Sequence, residues 1–104
     1  MIAVRKRPRF LRDLAEELTW LNEKAGAEVA ERWYQALKKT IRFLQEHPFV
    51  GRERIDLRPA GIRSWRIKRF PRWLVFYSVR DGKGIVLLRV RPGNMNLVVL
   101  EMDS

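Results

Sequence analysis

Trp73-Leu74-Val75-Phe76-Tyr77-Ser78-Val79 is a nearly continuous run of strand formers. Arg80-Asp81-Gly82-Lys83-Gly84 follows, and then Ile85-Val86-Leu87-Leu88-Arg89-Val90-Arg91. Aromatic and β-branched residues in so unbroken a stretch suit a central strand. Asp81-Gly82 carries the turn chemistry of a tight hairpin. The spacing therefore predicts two antiparallel strands, with Val86, Leu88 and Val90 on one face and Arg89 and Arg91 on the other. Upstream, Ser64-Trp65-Arg66-Ile67-Lys68 alternates and predicts a further strand. Trp65 and Ile67 lie on its covered side, and Ser64, Arg66 and Lys68 on its open side.

Before these strands the period changes from two to between three and four. Leu11, Leu14, Leu18 and Leu21 form one amphipathic stripe, opened by Pro8 and closed by Gly26. Ala30, Trp33, Leu37, Ile41 and Leu44 form a second, stopped at His47-Pro48. Two helices so briefly connected predict an antiparallel hairpin. Ile2-Ala3-Val4-Arg5 reads as an opening strand, and Phe49 to Gly61, punctuated by Gly51 and Pro59, as an extended loop. Asn94 to Met102 reads equally as a helical turn or an edge strand. The order β-α-α-β-β-β predicts an α+β fold, a mostly antiparallel sheet with the helical hairpin packed on one face.

The 104 residues have room for one core, so a single domain spanning residues 1–104 is expected. Apolar residues make up 46% of the chain, too many for a disordered tail. The absence of cysteine excludes disulfides, a thiol nucleophile and cysteine-based metal centres, and a lone His47 excludes a histidine cluster. No metal or cofactor is expected. No apolar run approaches the roughly 18 residues of a membrane span, so a soluble cytoplasmic protein without membrane contact is expected.

Charge is the unusual feature. The net charge is +10, and it is unevenly distributed. Between Arg9 and His47 seven bases meet seven acids, whereas Phe49 to Arg91 holds twelve bases against Glu53, Asp56 and Asp81. Such asymmetry predicts an anionic partner for the second half of the chain. If Trp65, Ile67, Val86, Leu88 and Val90 face the helices, then Arg66, Lys68, Arg89 and Arg91 project together from the opposite face. Arg63, Arg69 and Arg72 lie at nearby strand ends and turns. Tyr77 is of interest only if it shares that basic face, where it would assist proton transfer or stack on a base. Trp20 and Trp73 are the tryptophans expected to be partly exposed.

Four segments stand in order: Thr40-Ile41-x-x-Leu44-x-x-x-Pro48-x-x-Gly51-Arg52, Gly61-Ile62-Arg63-Ser64-Trp65-Arg66-Ile67, Leu74-Val75-Phe76-Tyr77 and Leu88-Arg89-Val90. Together they resemble the ParE/RelE superfamily of toxins from type II toxin–antitoxin, or plasmid-stabilisation, modules. The resemblance implies a small toxin held in a hetero-oligomer by an antitoxin, expected here to be acidic. It also implies one of two activities: ParE-like inhibition of DNA gyrase by protein–protein contact, or RelE-like cleavage of mRNA in the ribosome. A nuclease would draw on Arg66, Lys68, Tyr77 and Arg89. Antitoxin or target contacts would fall on Arg63, Trp65, Arg66, Lys68, Arg69, Arg89 and Arg91. RelE-like members carry a Tyr or His near the C-terminus, but residues 94–104 contain no Tyr, His, Lys or Arg. The final strand reads Arg89-Val90-Arg91-Pro92-Gly93-Asn94, without the His, second Arg and Asp common there. The first of these departures favours the ParE-like reading over the nuclease, whereas the second bears on both. A third reading is a basic domain that binds nucleic acid nonspecifically.

Overall fold

Seven elements follow one another in the computed structural model, which describes residues 2–93. They are β1 (Val4–Lys6), α1 (Pro8–Ala25), α2 (Ala27–Glu46), β2 (Arg52–Glu53), β3 (Ile62–Ile67), β4 (Phe70–Arg80) and β5 (Gly84–Pro92). The strands form one sheet in the order β1-β5-β4-β3-β2. β1 runs parallel to β5, and every other neighbouring pair is antiparallel. This is the expected α+β arrangement with one addition, the two-residue β2 inside the stretch expected to be loop. The segment after Gly93, whose two readings were left open, lies outside the described residues.

A single residue, Gly26, joins the two helices. Its N–H donates to the carbonyls of Leu21 and Asn22, which closes α1, and its carbonyl accepts from Ala30 as α2 begins. Its backbone angles, φ 96° and ψ 163°, belong to a region that only glycine adopts readily. The reversal folds the hairpin over the sheet.

The second stripe is buried as predicted: Ala30, Trp33, Leu37, Ile41 and Leu44 all lie in the core. The first holds in three of four positions: Leu21 is buried and Leu14 and Leu18 pack half-buried against the core, but Leu11 is 48% exposed, and Phe10, Asp13 and Glu17 are the other buried residues of α1. The helix has turned so that two carboxylates, not Leu11, face the protein.

The sheet has a core on each side. Trp33, Leu37, Leu44, Ile67, Val75 and Tyr77 form the larger one under the helices, with Ile85, Leu87 and Val90 of β5. Leu57, Ile62, Leu74, Phe76, Val86 and Leu88 form a smaller one on the other side. The grouping of Val86, Leu88 and Val90 on one face is therefore corrected. Phe76 pairs with Arg89 but Tyr77 pairs with Leu87, so Leu88 is an extra residue in the ladder. A bulge of this kind advances the alternation by one position. Val90 consequently joins Ile85 and Leu87, while Val86 stays opposite. Trp65 and Ile67 do face the helices, as expected.

Replacing Gly26 by Ala forces a side chain into a glycine-only conformation. Urea unfolding should show Gly26→Ala destabilised by about 2 kcal/mol, although nothing lies close enough for a new Cβ to strike.

Candidate interaction site

The arginines of β5 do not form an exposed patch. β1 covers β5 only as far as Leu87, whose carbonyl accepts from the Arg7 N–H at 3.0 Å. Beyond that point α1 lies along the strand. Asp13 there accepts the Val90 N–H at 3.2 Å, the bond that a neighbouring strand would otherwise supply. Its two oxygens also take Arg89 Nε at 2.6 Å and Nη2 at 2.9 Å. Arg89 and Asp13 are both buried, so each charge depends on the other, with Arg91 adding a weaker contact to Asp13 at 3.8 Å. Arg91 meets Glu16 at 3.0 Å and Glu17 at 3.3 Å. Arg89 and Arg91 thus act within the chain, which corrects their assignment to a cationic surface. The alternation rule places a Cβ on one face or the other, but a long side chain at an uncovered edge can still reach a helix.

Glu17 completes this buried network by accepting from Trp73 Nε1 at 2.7 Å. Burial raises its carboxyl above the ordinary glutamate value, against the opposing effects of the Trp73 bond and the Arg91 charge. Trp73 is therefore a core residue with a polar anchor. Trp20 is 40% exposed, and Arg72 lies over the Trp20 and Trp73 rings at 5.5 and 5.6 Å.

Tyr77 is fully buried on the helix side and does not share the face of Arg66. Its hydroxyl donates to the Pro48 carbonyl at 2.8 Å and accepts from the Gly51 N–H at 2.9 Å. Burial pushes this phenol above its usual pKa. A Cβ on residue 51 would overlap the hydroxyl, so glycine is what lets the chain leaving α2 pass so close. Arg63 secures the same loop, donating to the carbonyls of Phe49 and Gly51 while stacking over the Phe49 ring. Arg63 and Tyr77 are cross-strand partners, so the pair clamps the loop from one position of the sheet.

Of the expected contact residues, Arg66, Lys68 and Arg69 are exposed, and Trp65 is half-buried beside them. Arg66 donates to the Pro71 carbonyl at 2.6 Å. Arg69 turns the chain between β3 and β4 at a φ of 74°. None of the three cations has a carboxylate partner among the described residues. They line two adjoining depressions along the edge of β3. The larger, about 750 Å³, is bordered by Lys39, Thr40 and Phe43 of α2, by Arg52 and Arg54, and by Trp65, Arg66 and Lys68. The second shares Lys39 and Lys68 and continues to Arg32 and Arg69. A separate basic cluster of Arg5, Lys6, Arg80 and Lys83 surrounds another depression beside β1 and the β4–β5 turn. The positive field therefore has two centres where one was expected.

Lys39, Phe43, Arg52 and Arg54 were missed as groove residues. Phe43 offered a signal, since it is an aromatic lying off the buried stripe of α2. It is 39% exposed, stacks on Trp65 at 5.8 Å and lies tilted against His47 at 4.7 Å. Arg54 gave no local signal. It is buried by an ion pair with Asp56 at 2.7 Å, a 3.3 Å bond to Ser64 Oγ and contact with the Phe76 ring. The Arg54 bonds hold the exposed Asp56 carboxyl at a pKa of about 2.

Residues 4–97 match the family model of the ParE toxin of type II toxin–antitoxin systems, parDE. The chain belongs to the ParE toxin family. It is 36% identical over 75 residues to the toxin ParE3 of Caulobacter vibrioides, covering 72% of this chain and 70% of that one. Its fold matches a structure of the chromosomal ParDE system of P. aeruginosa with a TM-score of 0.72 at 22% identity, over 88% of this chain and 96% of that one. Among the described residues of this ParE toxin, no helix is long and apolar enough to cross a membrane.

The two kinds of arginine should separate in unfolding experiments. Arg89→Ala strands the buried Asp13 and should cost about 3–5 kcal/mol, whereas Arg66→Ala at the exposed edge should stay within about 0.5 kcal/mol. Equal effects of the two in urea titrations would contradict the assignment.

Proposed function

We propose that this ParE family member inhibits DNA gyrase by protein–protein contact, and that a cognate acidic antitoxin neutralises it in the cytoplasm. The observation that carries this reading is the double hydrogen bond of the buried Tyr77 hydroxyl. Cleavage of RNA by its own 2′-OH requires one group to take a proton and another to return one at the scissile phosphate. Of the four residues a nuclease would draw on, Tyr77 and Arg89 are committed inside the fold. Arg66 and Lys68 are left: an arginine supplies charge, and a single lysine would have to do work that calls for two groups. Inhibition by contact needs only such surface groups, here arranged around the exposed Phe43 and the half-buried Trp65. The P. aeruginosa relative is part of a ParDE toxin–antitoxin system, which supports an antitoxin for this chain. The +10 charge supports an acidic one.

A supercoiling assay with purified gyrase tests the reading. Near-stoichiometric amounts of the chain should stop supercoiling or accumulate cleaved DNA, and Arg66→Ala combined with Lys68→Ala should weaken this tenfold or more. Undisturbed supercoiling at large excess would contradict the proposal, as would codon-phased mRNA cuts at ribosomes after expression of the chain.

A further inference from the structure

We propose that the basic depression beside β1 is a second binding site, which holds the phosphate backbone of duplex DNA. The sheet order β1-β5-β4-β3-β2 puts it at the opposite edge from the groove beside β3. One edge is then free for a protein partner while the other lies on a duplex. The gyrase reading above enters only in the choice of DNA over RNA, because gyrase works on DNA duplexes.

The backbone brings the cations together from separate parts of the chain. β1 runs beside β5 with Arg5 opposite Val86, which belongs to the core on the side away from the helices. Arg5 therefore takes that side. Ser78 is the other neighbour of Val86, and Arg80, two residues further along β4, shares its side. The Arg80 carbonyl accepts the Lys83 N–H at 2.8 Å, which keeps Lys83 at the same end of the sheet. Gly84 makes the approach possible, since a Cβ there would overlap the Ala3 carbonyl, which accepts from the Ile85 N–H at 2.9 Å. Arg7 continues from β1 in an extended conformation, two residues beyond Arg5.

Arg5, Lys6, Arg7, Arg80 and Lys83 line a depression of about 430 Å³. None of the five has a carboxylate partner among the described residues. Asp81, in the turn itself, is exposed and does not border the depression. The Arg7 Nε is buried without a hydrogen-bond partner. The first turn of α1 carries no acidic residue, so the positive end of the helix dipole adds to the field. Cations gathered in this way repel one another until an anion joins them.

The composition of the site decides which anion. Among the described residues, no exposed aromatic or large aliphatic side chain borders it. Protein partners are anchored by such side chains, and single-stranded nucleic acids stack on them. A duplex backbone is held by arginine, lysine and main-chain N–H groups alone. The groove beside β3, with Phe43 and Trp65, has the opposite character.

The probe is a fluorescently labelled DNA duplex of arbitrary sequence, titrated with the full chain at several salt concentrations. Each phosphate contact adds about 0.9 to the fall of log K with log salt. Arg5→Ala with Arg80→Ala should lower that slope by about 1.8 and weaken binding tenfold or more at low salt. Arg5→Lys with Arg80→Lys keeps the charge and should keep the slope. Lys24→Ala with Lys38→Ala removes two exposed charges elsewhere and should leave it unchanged. Affinity that barely responds to salt would overturn the proposal. A slope lowered as much by the Lys24 and Lys38 pair, or by Arg66→Ala with Lys68→Ala, would overturn it too. So would tighter binding of duplex RNA, of the single strand, or of an oligoglutamate of equal charge. Supercoiling by gyrase is assayed separately on the same preparation, so DNA binding and gyrase inhibition fail or succeed independently.

Discussion

Asp13 accepts the Val90 amide and the Arg89 guanidinium where β1 stops covering β5, and much of the structure follows from that substitution of a carboxylate for a strand. An uncovered edge beside a helix leaves peptide groups that water reaches poorly, and an unpaired buried N–H is costly. One acidic side chain on α1 removes that cost and fixes the rotation of the helix. The rotation brings Glu17 to Trp73 and sends Leu11 to the surface. The bulge at Leu88 belongs to the same arrangement, because it turns the Val90 amide toward Asp13 and its side chain toward the core.

The latch also sorts the charges of the molecule. Arg89 and Arg91 are held by carboxylates from the neutral half of the chain, and Arg54 by Asp56. The cations around the β3 edge keep their field for a partner. Long-range attraction steers association, whereas paired and buried charges contribute little to it.

Much of this architecture was legible in the residues. The stripe from Ala30 to Leu44 repeats with helical period, and Asp81-Gly82 marks the hairpin between β4 and β5; both signals are local. Arg89 was misplaced because a charged residue reads as surface until its partner is known, and here the partner, Asp13, lies 76 residues away. The Leu88 bulge escaped because apolar residues run continuously from Ile85 to Leu88, and a one-residue slip leaves no mark in such a run. Within the site, Arg66, Lys68 and Arg69 were foreseen from strand alternation and turn position. Lys39 and Arg52 were not, since only the folded chain brings α2 and β2 to the same edge.

A double-mutant cycle between Asp13→Asn and Arg89→Met, followed by urea unfolding, tests the latch most directly. The account predicts a coupling of at least about 1.5 kcal/mol, with the double variant more stable than the sum of the single losses implies. Additivity within about 0.5 kcal/mol would mean that the two residues do not depend on each other, and would contradict the account.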